Sequence, residues 1–245
     1  MKEYPILYST DMVKAILDGR KTQTRRTNGL SFLNLVGRDQ ADKPTRPDQY
    51  KFHDFTDGVA TFIRFSARID RINVGVAYHV KCPYGQVGDH LWIRETWAGQ
   101  DFAVCCENDK PNYKGKDGYS HPVIHKAGKE NYAWGMSGEP KWHSGRFMFK
   151  TSARLWQEIT DITAQRLQEI TEADAQAEGM LHPSAYRDPL SFYDGRDFID
   201  AKTYRDMYIG KWQELNRKTH PFASNPWVWV ITSKLIDKKD MESDQ

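Results

Sequence analysis

Apolar, β-branched and aromatic runs stand near both ends of this chain, and short helical patterns lie between them. That distribution constrains the fold more than any other feature, because strands from distant parts of a chain must share a sheet to bury their faces. The strand signals are Ala60 to Ile72, Val74 to Val80, Leu91 to Thr96 after a turn at Val87, Gly88 and Asp89, Phe147 to Ile162, and a final PWVWVITSKLI at 226–236. Between them, Ser9, Thr10 and Asp11 offer capping chemistry before Met12, Val13, Ile16 and Leu17, which share one helical face, and Gly19 closes that helix. Thr163 to Ile170 and Thr171 to Glu178 read as short helical pieces. Thr171, Glu172 and Asp174 start the second, and Gly179 stops it. A later helix carries a stripe of Tyr204, Met207, Tyr208, Trp212 and Leu215.

The expected class is therefore α+β, built on a curved sheet or small barrel flanked by helices. A single elaborated domain spans 1–236, with polar, Gly- and Pro-punctuated insertions near 30–58, 99–146 and 181–200, and 237–245 forms a frayed tail. No internal repeat is visible.

Composition narrows the function classes. Lys plus Arg number 35 against 33 Asp plus Glu, a net charge of +2, so placement matters more than the sum. The first 26 residues hold six Lys or Arg against three acids, and Arg20, Lys21, Arg25 and Arg26 cluster in GRKTQTRR. Cys82, Cys105 and Cys106 form no CxxC pair, which disfavours a secreted disulfide framework. The N-terminus lacks the apolar core of a signal peptide, and no segment approaches a membrane span, so the expectation is a cytoplasmic protein without a membrane partner. His121 and His125 invite a zinc reading with Cys105 and Cys106, but adjacent cysteines are not a usual ligand spacing, and no metal or other cofactor is expected. GRKT follows its helix and lacks the earlier glycine of a phosphate-binding loop, which argues against nucleotide binding of that kind. HExxH, GxSxG and paired-carboxylate motifs are absent.

The basic cluster admits three readings from its residues alone. It is a solvated basic turn, a phosphate-binding edge, or a site where a turn after Gly19 brings Lys21 against Thr24, so that an amine with a lowered pKa activates a hydroxyl. Glu178, in the last turn of its helix, reads either as a solvated acid or as a functional one. Glu95, in LWIRETW, is a further acid, paired with a cation or facing a cleft. Trp92, Trp97, Trp142 and Trp156 offer rings for core packing or for stacking bases.

GRKTQTRR after a short amphipathic helix, VGDHLWIRE at a turn into a strand, and ITEADAQAEGM before a late PWVWVI strand together resemble the ASCH domain, the activating-signal-cointegrator homology family. The layout is most similar to the long members carried by bacteriophages and prophages. The resemblance implies a PUA-like fold whose cleft accepts RNA or a nucleoside. Its small bacterial N4-acetylcytidine amidohydrolase has a G-R-K-T-x-T motif and a later T-E-x-x-A-x-x-E-x-M motif, with a lysine, a threonine and a glutamate as catalytic groups. Here these fall on Lys21, Thr24 and Glu178, with Thr171, Glu172, Ala175 and Met180 in register. The implied function is deacylation of an N4-acetylcytidine-like nucleoside, with Arg20, Arg25, Arg26, Glu95 and Trp97 as substrate or nucleic-acid contacts. The alternative is a non-catalytic module for single-stranded RNA or DNA, and, behind it, a ribonuclease.

Overall fold

The computed structural model describes residues 1–34, 37–38, 44–45, 50–69, 72–99, 112–114, 120–128, 141–186, 191–193 and 198–237. Its strands are β1 (Glu3–Leu7), β2 (Gln23–Arg26), β3 (Gly37–Arg38), β4 (Pro44–Thr45), β5 (Tyr50–Thr56), β6 (Val59–Ile69), β7 (Ile72–Lys81), β8 (His90–Arg94), β9 (Trp97–Gly99), β10 (Asn112–Lys114), β11 (Ser120–His125), β12 (Trp156–Arg166), β13 (Ser191–Tyr193), β14 (Phe198–Asp200) and β15 (Trp227–Ile236). Its helices are α1 (Thr10–Leu17), α2 (Ser31–Asn34), α3 (Glu172–Ala177) and α4 (Tyr204–Asn216). The class is mixed α+β. The largest sheet runs β1-β8-β12-β15-β2, and among the described residues this order does not close on itself.

The chain divides into two compact units, each assembled from separated segments: Met1–Gly19, Gly88–Glu158 and Lys234–Gln245 in the first, Arg20–Val87 and Ile159–Ser233 in the second. In the first unit β1 lies parallel to β8, with Ile6 opposite Ile93, and Gln157 of β12 pairs antiparallel with Leu91. Helix α1 starts where the Ser9 side chain accepts from the Met12 amide at 3.4 Å, buries Val13, Ala15 and Ile16, and ends at Gly19. Gly19 sits at φ 71°, a left-handed conformation that costs glycine little. Trp97, Val123, Met148, Ala153 and Trp156 form a second apolar cluster, so two of the four proposed stacking tryptophans are core.

In the second unit β5, β6 and β7 form an antiparallel meander. Within the inserted stretch expected near 30–58, Tyr50–Thr56 is a strand rather than loop: Tyr50, Phe52 and Phe55 turn inward, and a bulge between Phe52 and Asp54 shifts the alternation by one residue. Leu167, Ala175, Ile209, Trp212 and Val228 pack α3 and α4 onto β15. Two further expectations change. Residues 145–152 form a pair of 3₁₀ turns, Gly145–Phe147 and Lys150–Ser152, and the strand expected from Phe147 begins only at Trp156. Conversely, Thr163 to Arg166 continues strand β12, and only Leu167–Glu169 turns as 3₁₀.

A buried histidine in the first unit sets a pH limit on the fold. His125 is 6% exposed, and its Nε2 lies 3.0 Å from the Ser152 carbonyl. Burial lowers its pKa below 6.5, Glu95 opposes the shift, and Arg154 adds to it. The unfolded chain therefore binds this proton first as pH falls, and stability is lost on acidification from 6.5 down through the folded-state pKa. Thermal melts should show a lower midpoint at acidic pH than at neutral pH, and His125→Gln should flatten that slope.

Candidate active site

The second unit gathers a buried charge cluster from β2, α3, β12 and α4. Thr171 caps α3: its side chain accepts from the Asp174 amide at 3.1 Å, while Asp174 Oδ2 accepts from the Thr171 amide at 3.0 Å and from its hydroxyl at 2.8 Å. The helix ends at Glu178, with Gly179 following at φ 88°. Its C-terminal turn is laid against the extended segment that leads into β2, where Lys21 and Glu178 form an antiparallel bridge and the Thr22 amide donates to Ala177 O at 2.8 Å. On the other side, the Ser233 amide donates to Thr22 O at 2.8 Å, so this short segment is held by backbone bonds on both flanks.

That register brings together side chains 157 positions apart. Lys21 Nζ lies 2.7 Å from Glu178 Oε2, and also donates to Glu178 O at 3.0 Å and Gln23 O at 2.8 Å. The side chains are 1% and 3% exposed. Three acceptors match the three donors of an ammonium. Burial nevertheless pulls the Lys21 pKa below its ordinary value, with Glu178 opposing and Arg26 and Arg25 reinforcing the fall.

Arg25, with a fully buried side chain, holds the other side of the carboxylate: Nη1 lies 3.3 Å from Glu178 Oε1, and Nη2 lies 3.2 Å from Asp174 Oδ2. Nη1 also donates to Gln23 Oε1 at 2.6 Å. With the Gln165 amide turned oxygen-first, its oxygen accepts from Nε at 3.1 Å and Nη2 at 2.7 Å. The guanidinium carbon sits 6.0 Å from the Tyr208 ring centroid. Burial, then the Glu178 charge, push the Tyr208 hydroxyl well above its ordinary pKa. Burial also works upward on Asp174, but the Thr171 amide and hydroxyl and Arg25 outweigh it and hold the carboxyl below its usual range.

Of the residues singled out in the sequence, Lys21, Glu178 and Arg25 meet in this cluster. Arg20 borders it, donating to Gly179 O at 2.6 Å. Arg26 pairs across the sheet with Trp229 and adds its charge to the field at Lys21. Thr24 is 2% exposed and pairs with Ile231. The chain runs extended through β2 where a turn had been expected to close Lys21 on Thr24, so alternation turns Thr24 to the strand face opposite Gln23 and Arg25. Glu95 and Trp97 belong to the first unit and are engaged there. Glu95, 1% exposed, takes Arg154 Nε at 2.9 Å and Nη2 at 3.0 Å, and Trp97 packs in the core with His143 against its ring at 5.2 Å. Cys105 and Cys106 lie outside the described residues. Among the described residues no group of His, Cys, Asp and Glu could hold a metal ion.

Gln23, Gln165 and Tyr208 carry no site signal in the sequence, where Asp174 marks only a helix start. The stripe of α4 marks Tyr208 as buried, but nothing local to Gln165 marks it. A buried amine held below its normal pKa against a carboxylate is equipped to relay a proton. No protein-family model, curated protein or solved structure matches the chain.

Proposed function

We propose that this protein is an ASCH-type amidohydrolase with a PUA-like core, which deacylates an N4-acetylcytidine-like nucleoside at Lys21 and Glu178. The observation that carries the reading is the 2.7 Å contact between these two buried groups, contributed by the two motifs of the resemblance. Proton transfer from Lys21 to Glu178 leaves a neutral amine with a free lone pair. Following the resemblance, that lone pair takes the Thr24 hydroxyl proton as Oγ1 attacks the acetyl carbonyl, a step that requires the Thr24 side chain to leave the opposite face of β2 and reach Lys21. The carbon–nitrogen bond then breaks, the departing amine takes the proton from Lys21, and water hydrolyses the acetyl ester left on Thr24. The pair carries one extra proton while the carbonyl oxygen holds the negative charge of the tetrahedral intermediate, and both charges vanish when the amine leaves with the Lys21 proton.

The opposite-face position of Thr24 favours a second reading of the same chemistry, in which water attacks directly with Lys21 as its base. Thr24→Ala separates the two, since the acyl-enzyme route loses turnover with it and direct hydrolysis keeps it. A polynucleotide-binding module built on the basic run fits the cluster less well, because Lys21 and Arg25 are buried and neutralised by Glu178 and Asp174 rather than presented to phosphates. Incubation with N4-acetylcytidine should release cytidine. No release, together with RNA binding that weakens steeply as salt rises, would replace the enzyme by a binding module.

A further inference from the structure

The 3₁₀ turns of the first unit expose what most surfaces hide. Phe147 and Phe149 are 68% and 59% exposed, the most exposed large apolar side chains described apart from Met1. Isolated exposed apolar residues are ordinary, but two within three positions, each next to a cation, are not. Segment 141–154 contains Lys141, Arg146, Lys150 and Arg154 and no acid. Lys141, Arg146 and Lys150 are exposed.

The backbone beneath is clamped. A Cβ on Gly145 would come within 2.7 Å of Glu95 O and 2.8 Å of Leu7 Cδ1, Met148 is 2% exposed, and Ser152 is fully buried. Met148 and Phe149 are extended, at ψ 135° and 151°, so Met148 points inward while the two phenyl rings emerge on the other side. Two residues of extended chain set their Cα atoms about 6.6 Å apart.

We infer that Arg146, Phe147, Phe149 and Lys150 form a stacking platform for single-stranded nucleic acid, separate in its residues from the Lys21–Glu178 site. Each ring offers a face to one base, and the flanking cations meet the backbone phosphates. Glu3 faces the platform as the ion-pair partner of Lys150, whose amine also lies 5.6 Å from the Trp156 ring. The half-buried Trp142, with Lys126 Nζ 5.8 Å from its ring centroid, extends the same alternation of ring and cation. A lipid surface would favour a broader apolar tip, whereas here the two rings are the only exposed apolar side chains of 141–154 and cations stand at both ends.

The test is fluorescence anisotropy of labelled oligo-dT and oligo-U with the full chain at low salt. Both should bind, more tightly than a duplex of the same composition. The double variant Phe147→Ala/Phe149→Ala should bind at least about tenfold more weakly, with unchanged circular dichroism because both side chains are exposed. Arg146→Gln should lower the salt slope by about one. Absence of single-strand binding, or equal binding by the double variant, overturns the inference. Phe-dependent binding to anionic phospholipid vesicles without oligonucleotide binding overturns it in favour of a membrane surface. The double variant should keep its cytidine release, so failure here leaves the hydrolase reading intact, and the reverse holds as well.

Discussion

Glu178→Ala should destabilise the second unit by about 3–5 kcal/mol, the usual cost of removing one partner from a buried ion pair. The figure rests on what remains behind. Lys21 loses its 2.7 Å carboxylate partner and Arg25 loses one at 3.3 Å, and both side chains are at most 1% exposed, so neither charge can turn to water. Lys21→Met should cost less, because it keeps the volume of the side chain and leaves Glu178 against Arg25. Urea unfolding of the two variants reads the difference. Glu178→Ala within about 1 kcal/mol of wild type would mean that the cluster is wetter or looser than its distances imply.

Trp229→Ala should also cost about 3–5 kcal/mol, through a cavity rather than a charge. Trp229 is among the largest fully buried side chains, it meets Phe55 edge-on at 5.9 Å, and its indole N–H donates to Asn28 O at 2.9 Å. It also faces Arg26 across the β15–β2 ladder, so its loss loosens the strand that carries Gln23 and Arg25. Trp229→Phe keeps most of the apolar contact and forfeits the hydrogen bond, and should fall between wild type and alanine. Equal midpoints for Trp229→Ala and wild type in thermal denaturation would contradict the packing described.

What could be read from the sequence was what the chain encodes locally. Ser9 and Gly19 bound α1, Thr171 and Gly179 bound α3, and the apolar run of β15 is plain because each signal lies within a few residues; the stripe on α4 holds for Met207, Tyr208 and Trp212 but not for Leu215, which is exposed. Distant partners decided the rest. Gly145, Met148 and Ser152 fold into turns by packing beneath the surface, against backbone that includes Glu95, so a stretch of β-favouring residues is not a strand there. Thr163 to Arg166 carried a helical pattern but extends β12 within the large sheet. Glu178 at a helix end looks solvated until Lys21 is bridged to it from 157 positions away. Arg25 was legible as a cation, and its service to Glu178, Asp174 and Gln165 was not.

The proposal that Lys21 and Glu178 act together as a proton-transferring pair on an acylated nucleoside meets its most direct test in the rate of cytidine release from N4-acetylcytidine by wild type and Lys21→Met, compared at equal folded fraction. Wild type should release cytidine, and the variant should lose at least about 10²–10⁴-fold, the range for removing a general acid–base group. Equal rates for the two proteins would contradict it.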